Sequence, residues 1–141
     1  MGGNGTGKQL VKFILDTSAV MAFFLAEKGG DAVKKLLVDS HGSCCIHSAN
    51  WIEVYYKMHN KAGLKAAKTA IDQMSRIGVS TTDISGQDFL LRVAEIKIEH
   101  PSLSLGDCYA VALSEWLNGT VVTSDKRFMD AKAITRVKLI R

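Results

Sequence analysis

The sequence predicts an α/β fold, a three-layer sandwich in which helices cover both faces of a mainly parallel central sheet. Three observations predict it. Short apolar runs alternate with longer helical patterns, and strand–helix–strand connections lay their strands parallel. The 141 residues are the usual size of one domain. The composition, 47% hydrophobic and 23% charged, is that of an ordinary globular chain, so disorder is excluded.

The elements follow in order. Residues 1–9 are glycine-rich and polar and read as a flexible lead, and residues 10–141 read as a single domain without repeats or linkers. Within the lead, Gly2, Gly7 and Lys8 fit part of a phosphate-binding loop. That loop needs a strand before it and a Ser or Thr after the Lys; nothing precedes it and Gln9 follows, so a nucleotide site is set aside. A first strand is expected over residues 11–15. Helices are expected over 18–27 and 31–38, broken by Gly29 and Gly30. A second strand is placed at 43–46. Helices at 49–60 and 64–76 are divided at Ala62 and Gly63. A brief strand at 78–82 precedes a helix at 87–99, which Pro101 stops. The helix at 105–117 ends at Asn118 and Gly119, a helix-stop signal. A strand at 120–123, a short helix at 126–131 and a last strand at 134–140 complete the chain.

Charge and cysteines narrow the class. Eighteen basic against fourteen acidic residues give a net +4, compatible with a polyanionic partner such as RNA or DNA. Cys44, Cys45 and Cys108 are odd in number and lack C-x-x-C spacing, which excludes a disulfide framework or a cysteine zinc site. Buried thiols in a reducing, cytoplasmic setting are expected. The longest apolar run, residues 19–26, falls far short of the roughly 20 residues that span a bilayer, so no membrane association is expected. Asp16 interrupts the early apolar stretch, which argues against a signal peptide.

Ligands of such sheets bind at the carboxyl ends of the strands. Four acids fall there or in the first turns beyond: Asp16, Glu53, Asp107 and Asp125. Singly, each has a plain role. Asp16 and Asp125 suit helix N-caps, Ser104 with Asp107 suits a capping box, and Glu53 suits solvent or the positive end of its helix. Together, four carboxylates repel unless a cation neutralises them. Oxygen donors favour Mg²⁺ or Mn²⁺. The histidines His41, His47, His59 and His100 show no zinc spacing. An oxygen-only magnesium site handles phosphate, and two such metals can activate water and stabilise a leaving oxygen.

Three stretches carry a family resemblance. Residues 13–20, FILDTSAV, resemble the opening motif of PIN domains. Residues 105–112, LGDCYAVA, resemble the helix of the family's third acid, and residues 123–128, TSDKRF, its last motif, T-x-D-x-x-F. Glu53 sits where the family places its second acid. The resemblance covers nearly all of residues 10–141, and size and layout are most similar to prokaryotic VapC-type toxins. It implies a PIN-like sandwich. It implies a Mg²⁺- or Mn²⁺-dependent endoribonuclease, often a homodimer, inhibited by a small antitoxin protein. Asp16, Glu53, Asp107 and Asp125 match the metal-binding catalytic acids. Thr17 or Ser18, and Thr123 or Ser124, match hydroxyls that orient acids or metal-bound water. A non-catalytic RNA-binding or scaffold PIN domain is the alternative. A phosphoacceptor on a similar sheet is disfavoured, because Ser18 stands where its D-x-D-x-[T/V] motif needs a second acid.

Other features are weighed the same way. Lys57, Lys61, Lys65 and Lys68 would form one basic stripe if the helix ran through Gly63, although a solvated face is the simpler reading. Lys126 and Arg127, beside Asp125, are candidate phosphate contacts. Trp51, Tyr55 and Tyr56 suit core or dimer packing better than base stacking. Trp116 and Leu117 read as core. His47 reads as the partner of a local hydrogen bond.

Overall fold

The computed structural model describes residues 12–40, 43–131 and 135–141. The expected lead, its phosphate-loop fragment and His41 lie outside these. Among the described residues, five strands form one all-parallel sheet: β1 (Phe13–Leu15), β2 (Cys44–His47), β3 (Val79–Thr82), β4 (Thr120–Thr123) and β5 (Arg136–Leu139). Their spatial order is β3-β2-β1-β4-β5. The chain therefore runs outward from β1 to β3, then crosses back to β4 on the other side of β1. That reversal makes the carboxyl ends of β1 and β4 the switch point of the sheet.

Helices α1 (Thr17–Phe24), α2 (Gly30–Asp39), α3 (Ser48–Ala62), α4 (Leu64–Met74), α5 (Gln87–Glu99) and α6 (Leu105–Leu117) lie between the strands, with a 3₁₀ helix at Lys126–Ala131. Period-two alternation divides the core. Leu15, Cys44, Ile46 and Val122 face a cluster with Val20, Val33, Val54, Met58 and Met74, from α1 to α4. Ile14, Cys45 and Val121 face the other way, onto Phe89, Val93, Ile96, Val111 and Phe128. Both faces of the sheet are thus covered, as the sequence predicts, and the strands can be apolar throughout. All three thiols are buried. Burial raises each thiol above its ordinary value, Cys45 to about 11, so they stay protonated and unreactive.

The predicted helices at 87–99, 105–117 and 126–131 and the strand at 120–123 match the observed bounds; the other elements differ by a few residues at one or both ends. The break expected at Ala62 and Gly63 is observed, and the reading of Trp116 as core is corrected. Gly63, at φ +95°, ends α3 and starts α4, so Lys57 and Lys61 do not share a continuous helix with Lys65 and Lys68. Trp116 is 48% exposed and only edges against Phe89, because α6 buries its small residues instead. Tyr56 is exposed, whereas Trp51 and Tyr55 stack and pack against the core.

Candidate active site

Asp16 follows β1 at the switch point and is only 2% exposed. It is the N-cap of α1, accepting from the Ala19 amide at 2.9 Å. Ser18 Oγ donates to Oδ1 at 2.8 Å, and Thr123 Oγ1 donates to Oδ2 at 2.5 Å. The cap and the candidate ligand are therefore one residue. Burial pushes its carboxyl up to about 7, against the pull of these three donors, and the charge of Asp107 raises it further. Positive charge arriving beside a carboxylate placed so deep would favour its ionised form.

Glu53 reaches the same corner from α3. Thr17 Oγ1 donates to its Oε1 at 2.8 Å, and Asn50 Nδ2 approaches the same oxygen at 3.3 Å. Lys57 Nζ lies 3.9 Å from Oε2. A methyl added at Gly106 would run into Glu53 Oε1, so glycine at the start of α6 is what lets this carboxylate lie against that helix. Gly106 also links α6 to α3 through its carbonyl, which accepts from Asn50 Nδ2 at 3.1 Å.

Asp107 completes a capping box with Ser104: the Ser104 amide donates to Asp107 Oδ2 at 2.9 Å, and the Asp107 amide donates to Ser104 Oγ at 3.2 Å. Lys97 Nζ braces the preceding turn through the carbonyls of Pro101 and Leu103. Even so, burial holds the Asp107 carboxyl above its ordinary value. The Asp125 charge adds to this, and the Arg127 charge opposes it.

Asp125 lies just beyond β4, its amide donating to Thr123 Oγ1 at 2.9 Å. Its carboxylate is engaged by Arg127 in a fork, Nε to Oδ1 at 3.1 Å and Nη2 to Oδ2 at 2.5 Å. That fork holds Asp125 below the usual carboxylate range. Arg127, read from the sequence as a candidate phosphate contact, is here engaged by an acid. Lys126 is exposed at the start of the 3₁₀ helix. Of the predicted hydroxyls, Thr17, Ser18 and Thr123 orient acids. Ser124 contributes through its backbone amide, which donates to Ser18 Oγ at 3.0 Å.

The four acids thus ring one edge of the sheet. Asp16 is coupled to Asp107 and Asp107 to Asp125, while Glu53 is tied to Thr17 beside Asp16 and to Gly106 beside Asp107. Among the described residues, no group of three or more His, Cys, Asp or Glu side chains is arranged to hold a metal ion. Mg²⁺, however, keeps several waters and takes one or two carboxylates rather than a protein cage. The donors here are oxygens, Asp16 is buried with its charge disfavoured, and Asn50 Oδ1 is buried without a partner among the described residues. These residues fit a hydrated Mg²⁺ or Mn²⁺.

Two residues at this edge escape sequence reasoning. Asn50, fully buried, has its amide shared among Thr17, Glu53 and the Gly106 carbonyl. Gly106 acts by having no side chain. The only signal for Asn50 was its position one helical turn before Glu53; Gly106 carried none. His47 behaves as expected: its Nδ1 accepts from the Ala49 amide and caps α3, while Nε2 lies 2.8 Å from the Ile84 carbonyl.

Comparison with known proteins agrees with this architecture. The PIN domain family model matches residues 13–134. Among solved structures, the chain is similar to VapC20 of Mycobacterium tuberculosis, a sarcin-ricin loop cleaving toxin. The TM-score is 0.73 at 16% identity, covering 85% of this chain and 95% of that one. It is similar to a chain of the DNA-bound VapBC of Salmonella typhimurium, with TM-score 0.73, 15% identity and coverage of 93% and 99%. A toxin-antitoxin complex from Klebsiella pneumoniae gives 0.68 at 18% identity, covering 92% and 98%. At these identities the likeness is one of fold. No curated protein is significantly similar in sequence.

Proposed function

The chain belongs to the PIN domain family, and from that premise we propose that it is a Mg²⁺- or Mn²⁺-dependent endoribonuclease, the toxin of a toxin-antitoxin pair. The observation that carries this is the buried Asp16 at the switch point, which feels the charge of Asp107 and whose carboxylate accepts from Thr123 Oγ1, the same hydroxyl that accepts from the Asp125 amide. Of Asp16, Glu53, Asp107 and Asp125, one or two would bind a hydrated ion directly and the others would hold its waters. When bound, Mg²⁺ or Mn²⁺ supplies water activation and neutralises charge on the phosphate. The protein supplies the rest. Ser18 and Thr123 fix the Asp16 carboxylate, Thr17 and Asn50 fix Glu53, and the Ser104 box fixes Asp107. In the reaction a water oxygen bonds to phosphorus, one P–O ester bond breaks, and the leaving oxygen gains a proton.

Similarity to VapBC and toxin-antitoxin structures supports an antitoxin as the natural partner. Exposed Leu90, Leu91 and Ile98 on α5 support a homodimer. No described helix is long and apolar enough to cross a membrane. One observation favours the alternative of a non-catalytic RNA-binding domain: Asp125 is already neutralised by Arg127. Incubation with total RNA, with Mg²⁺ or Mn²⁺ and with EDTA, beside Asp16→Asn, decides between them. Cleavage by the parent alone, and only with metal, supports the nuclease. RNA binding without cleavage under every condition supports the alternative.

A further inference from the structure

A cleft of about 460 Å³ opens beside the acids, lined by Thr17, Ser18, Met21, Lys57, Asn60 and Lys61, with Glu27 and Ser124 at its edges. We propose that it is the nucleoside subsite next to the scissile phosphate, and that Asn60 reads the base lodged there. The proposal rests on the ribonuclease reading of the acids.

Four observations converge. The volume lies within the roughly 300–1,000 Å³ of small-molecule pockets. The inner wall is shared with the acidic edge: Thr17 holds Glu53 and Ser18 holds Asp16, so a group in the cleft is contiguous with a phosphate at the acids. The outer wall is basic. Lys57 lines the cleft and lies 3.9 Å from Glu53, which places it between cleft and acids, where a linking phosphate would pass. Lys61, on the next turn of α3, pairs with Glu27 at 3.5 Å and closes the rim.

The fourth observation is the combination of an apolar surface and an amide. Met21, in α1, is an apolar residue of the cleft lining, a surface on which the flat face of a base can rest. The Asn60 carboxamide offers both a donor and an acceptor to the base edge. A backbone phosphate on lysine, a base on an apolar surface and an edge on an amide is the chemistry of single-stranded RNA recognition. Lysine contacts to phosphate alone would bind without regard to sequence; the amide makes this cleft a determinant of specificity.

The test maps cleavage in a random RNA pool for the parent, Asn60→Ala and Asn60→Asp. Asn60 is exposed, so both variants keep the fold. The parent is expected to prefer one base at a single position flanking the cut. Asn60→Ala should flatten that position alone, by about tenfold. Asn60→Asp, left with acceptors only, should move the preference toward bases that present amino groups. Identical profiles for all three proteins would overturn the proposal. Should the parent cut no RNA, the nuclease reading fails, and binding of labelled oligonucleotides to the metal-free protein decides the subsite by itself. Base-dependent binding weakened about tenfold by Asn60→Ala sustains it; equal or absent binding overturns it.

Discussion

Replacing Asp16 with Asn tests the site through stability, without reference to catalysis. The folded protein holds the Asp16 carboxyl at about 7, against an ordinary value of 3.8. The folded state therefore binds a proton that the unfolded state has released. The sign follows: the contribution is present in full below pH 3.8 and is lost as pH rises to about 7. A tenfold change in proton affinity between the two states is worth about 1.4 kcal/mol, so metal-free parent protein loses up to about 4 kcal/mol across that window through this one group. Asn does not titrate, so its variant lacks this loss. The variant gives up one good hydrogen bond, because Thr123 Oγ1 must turn to accept, at about 1 kcal/mol. In EDTA at pH 8, Asp16→Asn should therefore be more stable than the parent by about 2–3 kcal/mol, or roughly 10 °C in Tm. At pH 4 the two should agree, or the parent should be slightly ahead. Thermal melts of both proteins across this range measure the difference at each pH, so that other titrating groups cancel. Parallel curves, with a constant gap from pH 4 to pH 8, would refute the reasoning.

Four further outcomes are expected. Asp107→Asn weakens a helix start worth about 0.3–1 kcal/mol but relieves a half-buried carboxylate that faces the Asp125 charge, so in EDTA at pH 7 it should match the parent or exceed it. The stabilisation that excess Mg²⁺ gives the parent should shrink in this variant, and a lower melt with an undiminished Mg²⁺ shift would mean Asp107 is only a cap. Gly106→Ala should abolish cleavage by displacing Glu53, while circular-dichroism melts change by no more than about 1 kcal/mol, since alanine favours a helix; full activity would show that Glu53 is dispensable there. Arg127→Ala frees Asp125 and should tighten Mg²⁺ binding in calorimetry, a result contradicted by unchanged affinity. A purified partner of the chain should block cleavage by placing Arg or Lys against the acids; a stable complex that still cuts RNA at full rate would count against a toxin.

The fold was legible because its elements carry strong local punctuation. Pro101 and Asn118–Gly119 bound α5 and α6 so firmly that their limits could be read directly. The sheet order was less accessible, since the crossing from β3 to β4 is a tertiary choice that no local pattern encodes. At the site, the four acids could be placed because strand ends and helix starts are visible in sequence. Their surroundings could not. Asn50 looks like any helical asparagine until three elements close around it, and Gly106 matters only because Glu53 arrives from α3. The fork of Arg127 was hidden for a related reason: two residues of separation allow it to turn back onto Asp125, which adjacency in sequence alone does not reveal. Trp116 reads as apolar, but α6 has enough small residues to fill its buried side without it.

The central claim is that these acids cut RNA with a divalent cation. Its most direct test is the single-turnover cleavage rate of one end-labelled RNA, in excess Mg²⁺ and in EDTA, for the parent and for Asp107→Asn. Rapid cleavage is expected only from the parent in Mg²⁺, with the rate falling by orders of magnitude on either chelation or substitution. Cleavage by the parent at the same rate in EDTA, or by folded Asp107→Asn at the parent's rate, would contradict it.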